Sequence, residues 1–231
     1  MELGGWVRTS LIDYPHHIAT VLFTGGCNFR CPMCHNADLV VSPPDVCTPS
    51  LEEVWGFLSR RKGLVDGVVI TGGEPTLQSD LAAFLRRLRE FGLDAKLDTN
   101  GYRPDILAEV LDDGLLDYIA MDVKAPPEKY PLLSGREDVD LARVERSIDL
   151  LLESDLSCEF RTTAVPGLLV EEDIEEIAHW IQGAELYVLQ QFRPLGTLDP
   201  GLEGVTPYSL GRLEEMADRA EAWVNQTLVR G

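Results

Sequence analysis

The sequence has 231 residues, of which 45% are hydrophobic and 26% are charged, and its formal net charge is −19. This length and composition are typical of one globular domain, and no apolar run reaches the about 18 residues that a transmembrane helix requires. The first 13 residues lack a basic segment followed by an apolar one, so we predict no secretory signal and a cytoplasmic location. The negative net charge argues against a protein that binds nucleic acid through contacts with its phosphates.

Short β-rich runs alternate with amphipathic helices along the chain. The predicted strands cover 18–23, 67–71, 95–99, 118–123, 158–164 and 185–191. The predicted helices cover 49–61, 79–91, 104–113, 141–151, 171–181 and about 207–228. Thr48 is the expected N-cap of the first helix. In the second helix, apolar residues recur at helical spacing, which predicts one buried face: Leu81, Phe84, Leu85 and Leu88.

These elements form six successive β–α units. Strict alternation of this kind favours a parallel sheet with helices outside it. Six units are two fewer than a closed eight-stranded barrel contains. The pattern alone leaves a partial barrel and a doubly wound open sheet as alternatives. No linker, repeat or low-complexity tract divides the chain, so a single domain over residues 1–231 is predicted.

Three of the five cysteines lie within eight residues, in the loop after the first predicted strand: Cys27, Cys31 and Cys34. Clustered thiols in a chain without a secretory signal favour metal binding over disulfides. A [4Fe–4S] cluster normally takes four thiolates. Three thiolates leave one iron open, and an open position is a feature of catalytic rather than structural metal centres.

Two alternatives to a three-cysteine cluster remain open. Cys47 or Cys158 could supply a fourth protein ligand, or His35 could complete a zinc site. Structural zinc usually draws on two separated ligand pairs, so the spacing favours iron–sulfur over zinc. Outside such roles Cys47 and Cys158 are interpreted as incidental, Cys158 as a small buried strand residue.

A second motif follows the second predicted strand directly. Gly72 and Gly73 would allow the backbone to approach a ligand closely, and the carboxylate of Glu74 can accept hydrogen bonds from an ammonium group. An ordinary strand-to-helix turn is the alternative interpretation. About forty residues separate this motif from the cysteines, and it lies at the end of the next strand.

Polar residues also stand at the ends of the later predicted strands. Active sites of barrel enzymes lie at the carboxyl ends of their strands, so these residues are candidates for one site. They could instead form a plain turn, a structural ion pair or a pair with a core carboxylate. The candidates are Asp98, Thr99, Asn100, Asp122, Lys124, Arg161 and Gln191.

The spacing C-x3-C-x2-C after the first strand resembles the signature of the radical S-adenosylmethionine (SAM) superfamily. The resemblance implies a partial (β/α)6 TIM-type barrel, a [4Fe–4S] cluster on the three cysteines, and reductive cleavage of SAM to a 5′-deoxyadenosyl radical. It implies that Gly72, Gly73 and Glu74 bind the SAM amino group and that the backbone of Met33 meets the adenine. The polar residues at the later strand ends would then contact SAM. Whether a cation binds beside Asp98 or Asp122 stays open.

The stretches Thr-Ser-Leu-Ile-Asp-Tyr-Pro at 9–15 and Phe-Thr-Gly-Gly-Cys-Asn-Phe at 23–29 narrow the resemblance. They are similar to the activating proteins assigned to anaerobic ribonucleoside-triphosphate reductase. His16 and His17 replace the glycine that usually follows Tyr-Pro there, a departure outside the cysteine and Gly-Gly-Glu motifs. The tripeptide 34–36, Cys-His-Asn, is also frequent in activators of glycyl radical enzymes.

This resemblance implies an anaerobic, cytoplasmic oxidoreductase whose radical abstracts hydrogen from a glycine of a partner enzyme. The chain has no second cysteine cluster, so the electron must come from an external donor such as flavodoxin or ferredoxin. No nucleic acid or membrane partner is expected. The alternatives are an activator of another glycyl radical enzyme, a small-molecule enzyme such as 7-carboxy-7-deazaguanine synthase, and a non-catalytic iron–sulfur or zinc module.

Overall fold

A computed structural model describes residues 1–41 and 49–231, with only the backbone at position 41. The described chain forms two compact units. The first comprises Met1–Asn28, the described part of Asp38–Thr99, and Asp105–Ile119, and the second comprises Phe29–Ala37, Asn100–Pro104 and Ala120–Gly231. Cys47 and Thr48 lie outside the described residues. A single domain over 1–231 stays a prediction.

The first unit contains four strands in chain order: β1 (Leu3–Ser10), β2 (Ala19–Thr24), β3 (Gly67–Gly72) and β4 (Asp94–Thr99). β1 is antiparallel to β2, whereas β2, β3 and β4 are parallel neighbours. β2 and β3 are buried over nearly their whole length, as parallel strands covered on both faces usually are. Because these three strands run in the same direction, the segments that follow them emerge at the same edge of the sheet.

The helices around these strands are α1 (Ala37–Val41), α2 (Leu51–Arg60), α3 (Leu81–Phe91) and α4 (Pro104–Asp112), with a 3₁₀ turn at Pro75–Leu77. The face of α3 predicted to be buried is buried, and α3 ends at Gly92, whose φ of 73° suits glycine. The N-cap of α2 is Ser50, so the prediction that Thr48 fills this role is wrong. Ser50 and Glu53 form a capping box, which satisfies backbone donors of the first turn on both sides.

β5 (Tyr118–Asp122) begins in the first unit and ends in the second. The second unit then contributes three parallel neighbours: β6 (Cys158–Ala164), β7 (Tyr187–Gln191) and β8 (Thr227–Arg230). Its helices are α5 (Tyr130–Ser134), α6 (Leu141–Leu152), α7 (Glu171–Trp180) and α8 (Leu210–Ala220), with 3₁₀ turns at Pro127–Lys129 and Pro200–Leu202. The Val123 N–H donates to the Arg161 carbonyl at 2.9 Å and so joins the end of β5 to β6.

The six predicted strands correspond to β2–β7, and the structure adds β1 and β8. The helix predicted over about 207–228 is shorter, because α8 ends at Ala220 and residues 227–230 form β8. Residues 227–230 form a strand rather than a helix because they pair with β7, for example Val229 with Leu189. Such tertiary contacts override a weak local propensity. In the described residues, none of the helices has the length and apolar character needed to cross a membrane.

Candidate active site

Glu74 stands at the end of β3, where it opens the following 3₁₀ turn. Its side chain is 1% exposed. One carboxylate oxygen, Oε1, accepts hydrogen bonds from the Thr76 N–H at 3.0 Å, the Thr76 hydroxyl at 2.5 Å and the Thr99 hydroxyl at 2.7 Å. Three donors on one oxygen fix the carboxylate in place. A fixed, buried carboxylate is a strong acceptor for a cationic donor such as an ammonium group.

Gly72 and Gly73 allow the end of β3 to lie against the segment that precedes Cys27. The Gly73 N–H donates to the Thr24 carbonyl at 2.9 Å, and the Glu74 N–H donates to the Gly26 carbonyl at 2.8 Å. A Cβ on Gly73 would stand 1.9 Å from the Gly26 carbonyl oxygen. The glycine pair is therefore required by a close approach of two backbone segments within the first unit.

We expect Gly73→Ala to lower the free energy of unfolding by about 1–3 kcal/mol, because backbone must move to admit the methyl group. Urea unfolding of the cluster-free protein measures this change. Gly211→Ala is the matched control, because Gly211 lies near the start of α8 with open space around its Cα. That control should leave the protein unchanged or stabilise it by about 0.4–1 kcal/mol. Equal unfolding midpoints for Gly73→Ala and the wild type would contradict the close approach.

Asp98 and Thr99 end β4 in the same unit. The Lys96 ammonium donates to Asp98 Oδ1 at 2.6 Å, and Lys96 is only 3% exposed. The predicted Asp98 site therefore includes a buried cation that the motif analysis missed. The signal was present in the sequence, because residues two apart in a strand point to the same face.

The second unit holds Cys31 and Cys34 in a loop with defined backbone partners. Cys31 is 8% exposed and Cys34 is half-buried. The Cys34 N–H donates to the Cys31 carbonyl at 3.0 Å, the Leu198 N–H donates to the Cys34 carbonyl at 3.1 Å, and the Asp199 N–H donates to the Pro32 carbonyl at 2.9 Å. The two thiols are thus presented by a loop that the 198–199 backbone braces. Cys27 is half-buried in the first unit.

Helix α5 supports the other end of this loop. The Arg30 N–H donates to the Ser134 carbonyl at 2.8 Å, and a Cβ on Gly135 would lie 2.1 Å from the Arg30 carbonyl oxygen. The rings of Phe29 and Tyr130 have centroids 6.3 Å apart. The Tyr130 hydroxyl is buried and has no hydrogen-bond partner among the described residues. The sequence analysis did not predict α5 or this support.

Asp122, Lys124 and Arg161 form one ionic cluster in the second unit. The Lys124 ammonium lies 2.9 Å from Asp122 Oδ2, and Arg161 Nε lies 2.7 Å from Asp122 Oδ1. Burial by itself would raise the pKa of Asp122, but the charges of Arg161 and Lys124 outweigh it and hold that pKa well below its usual range. Burial opposes the charge of Lys124, whereas Asp122 and then the Cys31 sulfur raise the pKa of Lys124. Asp122 is therefore ionised and both cations are charged at neutral pH.

The remaining predicted site residues of the second unit are placed as follows. Met33 is 5% exposed in the cysteine loop. Asn100 is 5% exposed, and its Oδ1 accepts from the Tyr102 N–H at 3.0 Å. Gln191 donates from Nε2 to the Tyr208 carbonyl at 2.8 Å, which turns its amide toward the segment before α8. His35, an alternative zinc ligand in the sequence analysis, contacts the Arg193 carbonyl through Nε2 at 2.8 Å.

Cys158, the other alternative ligand that is described, begins β6 and is half-buried. Burial, with smaller contributions from Glu159 and Glu185, raises the pKa of its thiol to about 11. A thiol with so high a pKa is a poor source of the thiolate that binds metal. Cys158 lies on a strand as predicted but is half-buried rather than buried, and its incidental role stays a prediction.

The three cysteines supply the ligand type, a thiolate, that a [4Fe–4S] cluster takes. Within residues 1–41 and 49–231, no three side chains of His, Cys, Asp or Glu are grouped as the ligands of one metal ion. A [4Fe–4S] cluster takes each thiolate on a different iron, so its ligands need not converge on one point. Cys27, Cys31 and Cys34 form no disulfide with one another. Cys31 lies close enough to Lys124 to raise the pKa of that lysine.

Comparison with known proteins identifies relatives. A family model described as the radical SAM superfamily matches residues 21–181. A Methanocaldococcus jannaschii protein, provisionally named a glycyl-radical enzyme activating enzyme, is 34% identical over 99% of this chain and 95% of its own length. GTP 3′,8-cyclase of Nautilia profundicola is 31% identical over 68% of this chain but only 49% of its own length.

Solved structures resemble this chain at lower sequence identity. Streptococcus suis SuiB bound to the precursor peptide SuiA superposes with a TM-score of 0.68 at 16% identity, over 91% of this chain and 48% of SuiB. The SuiB structure bound to S-adenosylmethionine gives a TM-score of 0.66. This chain thus spans about half the length of SuiB. At this identity the similarity concerns the fold, and it confirms the predicted class, an α/β partial barrel of the TIM type.

Proposed function

This chain belongs to the radical SAM superfamily, and we propose that it activates a glycyl radical enzyme, an anaerobic ribonucleoside-triphosphate reductase. The observation that carries the proposal is the 34% identity to the M. jannaschii protein over nearly the full length of both chains. Similarity to GTP 3′,8-cyclase covers less than half of that enzyme. The narrower choice of the reductase rests on the stretches 9–15 and 23–29. The cytoplasmic and anaerobic setting belongs to the same proposal.

We assign the cluster to Cys27, Cys31 and Cys34, which would hold it by their thiolates. The bound cluster and SAM would supply the reductive radical chemistry that removes a hydrogen atom from a glycine Cα. The residues of this chain bind and orient the cluster and SAM. The hydrogen bonds from Leu198 and Asp199 to the cysteine loop restrict where Cys31 and Cys34 can present their sulfurs. Electrons come from an external donor of the flavodoxin or ferredoxin type.

Two sets of charged groups are suited to the two ends of the amino acid part of SAM. Glu74, held by Thr76 and Thr99, accepts from the ammonium group. Arg161, held by Asp122, pairs with the carboxylate, since its planar guanidinium matches that group. Gly72 and Gly73 let the end of β3 lie against the segment before Cys27, and we assign both glycines to the same SAM amino-group site as Glu74. Met33 offers backbone to the adenine. Asp98, Thr99, Asn100, Asp122, Lys124 and Gln191 complete the proposed SAM contacts.

The test combines the anaerobically reconstituted, reduced protein with SAM and the anaerobic ribonucleotide reductase of the same host. We expect a glycyl doublet in the electron paramagnetic resonance spectrum only when both proteins are present, together with one 5′-deoxyadenosine per radical formed. A reductase variant with alanine at its radical glycine is the control and should give no doublet. 5′-Deoxyadenosine without a doublet would contradict the reductase as the partner while leaving SAM cleavage in place. It would favour another glycyl radical enzyme or a small molecule as the substrate.

A further inference from the structure

A buried carboxylate beside the ionic cluster has no role in the function proposed above. Glu159 is 0% exposed, and it lies on β6 in the second unit. Arg230 of β8 meets it with both terminal nitrogens, Nη1 to Oε1 at 2.7 Å and Nη2 to Oε2 at 2.6 Å. A bidentate pair of this kind fixes the orientation of both side chains.

The pair is connected to a proposed SAM contact. Glu159 and Arg161 are two residues apart on β6, so their side chains leave the same face of the strand. Arg161 Nε lies 2.7 Å from Asp122, whereas Arg161 Nη1 lies 3.9 Å from Glu159 Oε1. Arg161 thus stands between two carboxylates and bonds closely to only one of these two.

Arg230 accounts for this asymmetry. The Arg230 guanidinium on β8 binds both oxygens of Glu159. Its positive charge compensates the negative charge of that buried carboxylate. Without Arg230, the attraction between Glu159 and Arg161 would act over less than 4 Å in a buried setting, where it is strong. Arg161 would then turn toward Glu159 and away from Asp122.

We propose that Glu159 and Arg230 are positioning residues, which hold the Arg161 guanidinium in the orientation that binds the carboxylate of SAM. The inference rests on the proposed function, because it requires that Arg161 contacts SAM. This inference gives β8 a role in ligand binding. Arg230 pairs with Gln190 across the two strands, so it lies beside the end of β7. A pair that served stability alone would not affect SAM affinity in folded protein.

The experiment measures SAM affinity by equilibrium dialysis of the reconstituted protein. We expect Arg230→Gln to weaken SAM binding about tenfold, the lower end of the usual effect of outer-shell partners on a bound centre. Far-UV circular dichroism and iron content report whether the variant is folded and loaded. Arg219→Gln is the matched control, because Arg219 also pairs with carboxylates in the second unit, at the surface of α8. It should bind SAM as the wild type does.

Two further variants separate positioning from stability. In the double variant Glu159→Gln with Arg230→Gln, no carboxylate remains at position 159 to attract Arg161, so SAM affinity should return to within about threefold of the wild type. In an Arg161→Met background, Arg230→Gln should cause no additional loss, because it acts through Arg161.

Each outcome bears on a separate claim. Unchanged SAM affinity in folded Arg230→Gln, or a full additional loss in the Arg161→Met background, would overturn the positioning inference and leave the proposed function intact. Failure of Glu159→Gln to restore the affinity of Arg230→Gln would also overturn it. Unchanged SAM affinity in Arg161→Met alone would overturn both the assignment of Arg161 to SAM and the inference built on it.

Discussion

Cys34→Ala is expected to abolish reductive SAM cleavage, with a loss of roughly a thousandfold or more in 5′-deoxyadenosine formation. Only three thiolates are assigned to the cluster, so removal of one leaves two, which is too few to hold a [4Fe–4S] centre. Iron and sulfide content after anaerobic reconstitution should fall in parallel with activity. The low-temperature paramagnetic resonance signal of the reduced cluster should disappear.

Cys158→Ala is the matched control for this experiment. Cys158 is a half-buried thiol in the second unit, like Cys34, but its high pKa makes it a poor ligand. This variant should keep its iron and its SAM cleavage. Loss of the cluster in Cys158→Ala would show that a fourth protein ligand exists, and it would contradict the open iron on which SAM binding depends. Full iron content in Cys34→Ala would contradict the assignment of that cysteine.

The second large effect is expected at Glu74. Glu74→Gln should weaken SAM binding by about 10- to 100-fold, the usual range for loss of a hydrogen bond to a charged group. The amide still offers an oxygen to Thr76 and Thr99, so the fold should change little. Glu74→Ala removes this acceptor as well. The buried donors of Thr76 and Thr99 then have no partner at position 74, which should lower the free energy of unfolding by about 1–3 kcal/mol.

Comparison of the two Glu74 variants separates binding from stability. Equilibrium dialysis gives SAM affinity, and urea unfolding of the cluster-free protein gives stability. Glu145→Gln is a suitable control, because Glu145 is exposed on α6 and the substitution makes the same change in charge. Wild-type SAM affinity in Glu74→Gln, with the cluster present, would remove Glu74 from the SAM site and leave it a structural residue of the turn after β3.

Some features of this protein follow from local patterns. The six strands β2–β7 were predictable as short β-rich runs, since strands covered on both faces are nearly continuously apolar. The buried face of α3 was predictable because burial of one face imposes a period of 3.6 on a helix. The close backbone approach at Gly72 and Gly73 was foreseeable, because paired glycines let a backbone segment lie near another group. The cluster role of the cysteine triplet stays a prediction. Arg161 was predictable as a charged residue on a strand of the parallel sheet.

Other features depended on contacts distant in sequence. β8 was not predicted, and the helix predicted over about 207–228 overlaps its first two residues, since four residues carry little signal and pairing with β7 decides their conformation. The capping box of α2 displaced the predicted N-cap by two residues, because Ser50 finds Glu53 at the spacing that a reciprocal bond needs. Alternation along a strand places Lys96 and Asp98 on the same face. That the two side chains form an ion pair was decided by the folded structure.

The sequence by itself determined the superfamily and the positions of the polar groups near the strand ends, since both depend on residue type and short spacing. The tertiary structure decided how those groups are held. Glu74 is fixed by Thr99, 25 residues away, and Glu159 by Arg230, 71 residues away. The physical reason is that a buried charge must be compensated by whatever the fold brings within hydrogen-bond distance, and such partners leave no periodic trace in the chain.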